Sequence, residues 1–110
     1  MTRPGSKPGS IFEGGTLTTV PLVFSGERLE VNTRVKPGGS ATVEVLDVAE
    51  RPIAGFGRSV AIRGDHLRAP VVWPGVRKIG ELRGNPVCLC FRLRNAELYS
   101  FAFRPGASAA

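Results

Sequence analysis

A period-two alternation of apolar and polar residues runs through the C-terminal stretch 85–103. In its first half, apolar side chains alternate with thiols and arginines: Val87, Leu89, Phe91 and Leu93 against Cys88, Cys90, Arg92 and Arg94. After a turn signal at Arg94-Asn95, the second half sets an aromatic row against a small apolar and polar row: Tyr99, Phe101 and Phe103 against Leu98, Ser100 and Ala102. Because alternate side chains of a strand point to opposite faces, the pattern predicts a closing β-hairpin whose rings form the centre of the core.

The same alternation recurs in the first half of the chain. The predicted inward residues are Leu29, Val31, Thr33 and Val35 in 28–35, and Ala41, Val43 and Val45 in 41–48. The intervening Lys36-Pro37-Gly38-Gly39-Ser40 is rich in turn-forming residues and predicts a hairpin between these two strands. Shorter apolar segments predict further strands over 16–24, 53–56, 59–62 and 67–73, with Pro21 marking an edge or a bend, and 76–82 allows one short helical turn.

About eight or nine such strands, separated by turn signals every ~8–12 residues, are typical of an all-β protein. We predict a jelly-roll-like antiparallel β-sandwich of about eight strands, with its core on the rows of Leu29, Val43, Val87 and Phe101. The domain is expected to span 15–104. A linker or tail rich in proline, glycine and serine precedes it at 1–14, and a short tail follows at 105–110.

The composition is that of a single globular domain. With 110 residues, 42% of them hydrophobic and 22% charged, the chain can close one core and is too short for two domains. No apolar run approaches the ~20 residues of a membrane-spanning helix. The N-terminal MTRPGSKPGS has no apolar region of the kind found in a signal peptide, so we expect an exported form to belong to a longer precursor or to use an unusual leader.

Fifteen lysines and arginines against nine acidic residues give a net charge of +6. A basic surface can collect phosphate groups, so one hypothesis is a free-standing basic β-barrel that binds nucleic acid or another polyanion. The basic residues are scattered, and on the clearest strands they lie opposite the apolar row, which is typical of a solvated face. We therefore keep the polyanion as the alternative partner rather than the leading one.

Cys88 and Cys90 are two apart on one predicted strand and therefore point to the same face. Their Cα atoms should lie about 6.5–7 Å apart with parallel side chains, which disfavours a disulfide between them. Together with His66, the only histidine, they fall short of the four ligands of a structural zinc site. The pattern predicts two half-buried thiols on the outer face of the strand, with no metal and no cofactor.

Other residues that could carry chemistry are isolated. His66 follows Asp65 in a turn, and no nucleophile elbow accompanies it, so a solvated loop residue is expected. Trp73 could stack on a sugar ring, but it shares its parity with Leu67, Ala69 and Val71, which favours core packing. The carboxylates show no pair typical of a glycosidase. The sequence assigns no catalytic, metal-binding or ligand-binding residue, and it predicts that the protein is not an enzyme.

Several separated motifs resemble one known domain. They are TVPLVFSGERLEVN at 19–32, GGS at 38–40, RPIAGF at 51–56, GD at 64–65, VVW at 71–73, LRGNPV at 82–87 and LYSFAF at 98–103. In this order they are similar to the C-terminal β-sandwich accessory domain of large bacterial glycoside-hydrolase-like proteins of the five-bladed propeller type. The similarity covers roughly Gly15 to Arg104, which is nearly the whole predicted domain.

The resemblance implies a non-catalytic accessory module of a carbohydrate-active protein, in an extracellular or periplasmic setting. Such a module would pack against a glycosidase-like catalytic domain or weakly bind glycan. Three features depart from the family: Cys88 and Cys90 stand where arginine is usual, Glu50 replaces a turn glycine, and Gly57-Arg58-Ser59-Val60 replaces an acidic segment. The resemblance therefore does not transfer to this chain any ligand or cation that the acidic segment holds in relatives.

Overall fold

The computed structural model of the protein describes residues 12–75 and 77–105. These residues form one antiparallel sheet of four strands, in the spatial order β1-β4-β2-β3. The strands are β1 (Phe12–Thr18), β2 (Arg28–Leu46), β3 (Asp65–Pro70) and β4 (Cys88–Arg104). A 3₁₀ turn at Ile79–Leu82 is the only helical element in the described ranges, and it falls within the window predicted for a helical turn. The all-β prediction is confirmed.

The ends of the chain lie largely outside this description. β1 begins at Phe12, three residues before the predicted start of the domain at residue 15. Residues 1–11 and 106–110, which make up most of the two predicted tails, are outside the described residues. Within the described ranges, no helix is long and apolar enough to cross a membrane.

The two central strands are longer than predicted. β2 joins the predicted strands 28–35 and 41–48, and β4 joins both arms of the predicted closing hairpin. The two halves of β2 pair with β4, not with each other, so both predicted hairpins are wrong. Four strands are therefore present among the described residues instead of the predicted eight, partly because two pairs of predicted strands merge.

A bulge in the middle of this ribbon explains why the turn-forming residues do not close a hairpin. Val35 pairs with Ala96 and Ser40 pairs with Arg94, so four residues of β2 (36–39) lie opposite the single residue Asn95 of β4. Gly38 and Asn95 have φ values of 81° and 49°, in the left-handed region that glycine and asparagine tolerate best. The residue types that favour a tight turn also favour a bulge, and the presence of a long partner strand selects the bulge.

A second bulge changes the faces of the last part of β4. Asn32 pairs with Ser100 and Thr33 pairs with Leu98, so Tyr99 is an extra residue on β4. An extra residue shifts the side-chain period by one position. Leu98 therefore faces the core and is 1% exposed, whereas Tyr99 is only half-buried. The prediction that Leu98 lies opposite the buried face is wrong for this reason.

A third irregularity lies in β3. Val31 pairs with Ala69 and Thr33 pairs with His66, so β3 contains one more residue than β2 over this stretch. Leu67 is consequently 79% exposed, although its parity with Ala69 predicts an inward side chain. Beyond the bulge, the predicted inward row of Ala69, Val71 and Trp73 is buried.

The core lies between the inner face of the sheet and the segments that connect its strands. The inner face consists of Leu29, Val31, Val35, Ala41, Val43 and Val45 from β2, and Leu89, Phe91, Leu93, Ala96 and Leu98 from β4. The side chains that cover this face come from the connecting segments: Phe24, Phe56, Ile62, Val71, Trp73, Ile79, Leu82 and Val87. The predicted core rows of Leu29, Val43 and Val87 are confirmed. The prediction that the rings of Tyr99, Phe101 and Phe103 form the centre of the core is wrong, because all three are partly exposed and only the two phenylalanines pack against the core cluster.

Candidate functional site

The face of the sheet turned away from the core carries rows of polar side chains. Where β1, β4 and β2 lie side by side, Thr16, Arg92 and Thr42 are directly paired across the three strands. Arg94 pairs with Ser40 in the next row. Because residues two apart on a strand share a face, these two rows form one continuous surface.

These rows line an open groove of about 320 Å³, which we call the donor groove. Its lining residues are Gly15, Thr16, Ser40, Thr42, Arg58, Arg92, Leu93 and Arg94. Three hydroxyl groups and three guanidinium groups therefore border the same space. Guanidinium groups only donate hydrogen bonds, and hydroxyl groups can donate one each. The donor groove is thus suited to a ligand that is rich in acceptor oxygens.

Arg58 reaches the donor groove from segment 52–62, which runs beside the second half of β2. The N–H of Ser59 donates to the carbonyl oxygen of Val43 (2.9 Å), and the N–H of Val43 donates to the Ser59 hydroxyl oxygen (2.8 Å). Ser59 is buried, so water does not compete for these bonds. They hold Arg58, the preceding residue, at the edge of the groove.

Cys88 and Cys90 lie further along the same outer face, paired with Leu46 and Glu44 of β2. Their predicted position on the outer face is confirmed, but the prediction that they are half-buried is wrong. Their exposed fractions are only 2% and 4%, because they pack with Leu46 in a second apolar cluster. Both are free thiols, and the described residues contain no group of three or more side chains that could hold a metal ion.

We expect both thiols to react slowly in the folded protein. Burial raises the pKa of Cys88, and the nearby carboxylates of Glu50 and Asp47 raise it further, so little reactive thiolate forms near neutral pH. Modification by a disulfide reagent such as 5,5′-dithiobis(2-nitrobenzoate) at pH 8 should be on the order of 100-fold slower in the native protein than in urea. Since the unfolded thiol ionises first as pH rises, alkaline pH should also lower the free energy of unfolding. Rapid native labelling would contradict the burial.

His66 and Asp65 lie in a separate cleft of about 190 Å³, which also contains Arg34 and Tyr99. The ring Nε2 of exposed His66 is 2.7 Å from the carbonyl oxygen of Arg63, which can only accept, so Nε2 carries the donated proton. Asp65 pairs with Arg34 at 3.6 Å instead of orienting the imidazole. Partial burial and the Glu97 carboxylate raise the pKa of Tyr99, which keeps its phenol protonated. His66 is therefore a surface residue, as predicted, although it belongs to β3 and not to a loop.

Trp73 borders a second groove, of about 270 Å³, together with four charged residues and several apolar ones. Its side chain is 5% exposed, its Nε1–H donates to the carbonyl oxygen of Val43 (3.1 Å), and its ring meets Phe56 edge-on at 5.6 Å between centroids. A ring held in this way has no free face for a sugar. The prediction that Trp73 packs in the core is confirmed.

No protein-family model, curated protein or solved structure matches this chain. The donor groove itself is not among the sites that the sequence predicts. The alternation of β4 shows that Arg92 and Arg94 share a face, but it treats them as solvated charges. The convergence of β1, β2 and Arg58 on these residues depends on pairings between distant parts of the chain, and no local pattern encodes those pairings.

Proposed function

We propose that this chain is a non-catalytic accessory module of a carbohydrate-active, glycosidase-like protein, and that it binds glycan weakly in the donor groove. The observation that carries the proposal is the alignment of hydroxyl and guanidinium donors across three paired strands. A polysaccharide presents acceptor oxygens at regular intervals along an extended chain, so rows of donors on a regular sheet suit it. An open groove with few apolar side chains favours low affinity, because little apolar surface is buried on binding.

The resemblance to glycosidase accessory domains supports the same role. Several of its motif residues lie at positions that require glycine or that pack a side chain into the core. Gly26 has a φ of 116°, and a side chain there would lie 2.8 Å from the carbonyl oxygen of Arg104. The buried Trp73 of the VVW motif donates its indole N–H to the carbonyl oxygen of Val43. Gly64 of the GD motif has a φ of 83° and leads into β3. The partner that the resemblance implies is a glycosidase-like catalytic domain.

We further propose that the complete fold is a jelly-roll-like β-sandwich. Two extended segments outside the four strands support this interpretation. The segment after β1 continues along Val87, with paired bonds between Leu22 and Val87 of 2.8 and 2.9 Å. Segment 52–62 continues along the second half of β2, with bonds of 3.1 and 2.8 Å between Ala41 and Ile62. Counted as strands, these segments bring the total nearer to the predicted eight.

The glycan role can be tested by removing hydroxyl groups from the donor groove without changing side-chain shape. The variants Thr16→Val and Thr42→Val should each weaken polysaccharide binding about fivefold, because each removes one neutral hydrogen bond that contributes ~1 kcal/mol. Affinity electrophoresis through gels containing soluble polysaccharides identifies a ligand, and titration calorimetry then measures its Kd.

The matched control is Thr18→Val. Thr18 pairs with Cys90 on the same face but does not line the donor groove, so this change should leave the Kd unaltered. Equal affinity of all three variants and the parent protein would place glycan elsewhere on the surface. A parent protein that no polysaccharide retards would remove the glycan role and leave only packing against a catalytic domain.

A further inference from the structure

Two of the three arginines that line the donor groove, Arg58 and Arg94, differ from most other arginines among the described residues. Most arginines described here contact a carboxylate or a backbone carbonyl: Arg28, Arg34, Arg63, Arg68, Arg77, Arg83, Arg92 and Arg104. Within residues 12–75 and 77–105, the side chains of Arg51, Arg58 and Arg94 have no hydrogen-bond or ion-pair partner. Of these three, Arg58 and Arg94 line the donor groove.

The charge in the donor groove is therefore only partly balanced. Arg92 donates to Glu44, with Nη2 3.2 Å from Oε1, and Glu44 is the one carboxylate that a described contact brings to the lining residues. Among the described side chains, three guanidinium groups and one carboxylate leave a local excess of positive charge. The strands hold Arg92 and Arg94 in place and Ser59 holds Arg58, so the cost of ordering their backbone is met on folding.

Arginine presents a planar fork of donors that matches the paired oxygens of a carboxylate or a sulfate. We infer that the glycan in the donor groove is an acidic polysaccharide, whose carboxylate or sulfate groups bind Arg58 and Arg94 while its hydroxyl groups bind the neighbouring threonine and serine side chains. This inference rests on the proposed glycan-binding role and specifies the chemical class of the ligand.

Nucleic acid is the other polyanion that a basic groove could hold. Single strands bind chiefly through aromatic side chains on which the bases stack, in addition to basic residues that track the backbone. None of the described residues that line the donor groove is aromatic; the neutral lining consists of hydroxyl-bearing residues, glycine and Leu93. These residues suit the hydroxyl groups of sugars and offer no surface for stacking, so the acidic polysaccharide is the better match.

The test compares four probes on the intact chain by titration calorimetry: dextran, dextran sulfate, polygalacturonate and a poly-dT oligonucleotide. We expect one or both acidic polysaccharides to bind at least tenfold more tightly than neutral dextran, and their relative affinities to distinguish sulfate from carboxylate as the preferred group. Arg58→Gln and Arg94→Gln should each weaken this binding about five- to tenfold, as expected for loss of a charge-assisted hydrogen bond.

Arg51→Gln is the matched control, because the Arg51 side chain is exposed, has no described hydrogen-bond or ion-pair partner and does not line the donor groove. It should leave the affinity nearly unchanged. If Arg51→Gln weakens binding as much as the groove variants do, the affinity depends only on the net charge of the protein and the inferred site is wrong. Thermal unfolding followed by circular dichroism checks that all three variants keep the stability of the parent protein.

The remaining outcomes separate this inference from the function on which it rests. If dextran binds as tightly as the acidic polysaccharides, and the arginine substitutions do not weaken its binding, the inferred ligand class is wrong but the glycan-binding role stands. Tighter binding of poly-dT than of either acidic polysaccharide, lost in the same variants, would overturn both. Failure of all four probes to bind would also reject the acidic ligand.

Discussion

Replacing Trp73 with alanine is expected to lower the free energy of unfolding by about 3–5 kcal/mol, the usual range for truncating a large buried aromatic side chain. Trp73 fills the space over the inner face of the sheet and packs edge-on against Phe56, which is fully buried. Arg77 also lies over the Phe56 ring, with its guanidinium carbon 4.9 Å from the ring centroid. Loss of the indole therefore removes one of the two side chains that contact the Phe56 ring in these pairs.

The indole hydrogen bond can be separated from the packing with Trp73→Phe. The carbonyl oxygen of Val43 accepts from both the Trp73 indole (3.1 Å) and the Ser59 N–H (2.9 Å), so it keeps one donor in this variant. We expect a loss of about 1–2 kcal/mol, from one hydrogen bond and the smaller ring. Urea unfolding followed by circular dichroism measures both variants. A Trp73→Ala protein within 1 kcal/mol of the parent would show that this side chain does not support the core.

Replacing Gly39 with alanine is expected to lower the free energy of unfolding by about 2–4 kcal/mol, because the backbone of the paired strand β4 leaves no room for a side chain here. A methyl group on Gly39 would lie 2.8 Å from the carbonyl oxygen of Asn95 and closer still to that of Arg94. Both obstacles are backbone atoms of β4, so relief requires the paired strands to move apart. That movement would also disturb Arg94 and Ser40 in the donor groove.

Two other glycines, Gly38 and Gly57, provide controls for this effect. Gly57 has open space around it and no left-handed conformation, so Gly57→Ala should change the stability little. Gly38 also has open space but a φ of 81°, and Gly38→Ala should therefore show only the backbone strain of about 1–2 kcal/mol. Urea unfolding of the three variants should rank Gly39→Ala as the most destabilised. Equal stability of Gly39→Ala and Gly57→Ala would contradict the close approach of the β4 backbone to Gly39.

Local alternation in the sequence identifies the residues of the inner face wherever a strand is free of bulges. Leu29, Val31, Thr33 and Val35 are all buried as predicted, and so are Val87, Leu89, Phe91 and Leu93. The prediction fails at Leu67 and Leu98, each of which adjoins a bulge. A bulge inserts one residue against a partner strand that is distant in sequence, so the alternation itself contains no sign of it.

The candidate site was less accessible to sequence reasoning than the core. Alternation on β4 placed Arg92 and Arg94 on one face, and this is confirmed by their pairing with Thr42 and Ser40. Arg58 lies in a segment without periodicity, and its position depends on the two hydrogen bonds between Ser59 and Val43. The burial of Cys88 and Cys90 likewise depends on Leu46, from the strand beside them.

The sequence by itself determined that the chain is all-β and which side chains share a face within each uninterrupted run, because covalent geometry makes successive side chains of an extended chain alternate. Only the tertiary structure decided whether glycine-rich segments close hairpins or bulge out of long strands. It also brought Arg58, Arg92 and Arg94 together in the donor groove. Those outcomes depend on which distant segments pair and in what register, and contacts across the whole chain set that choice.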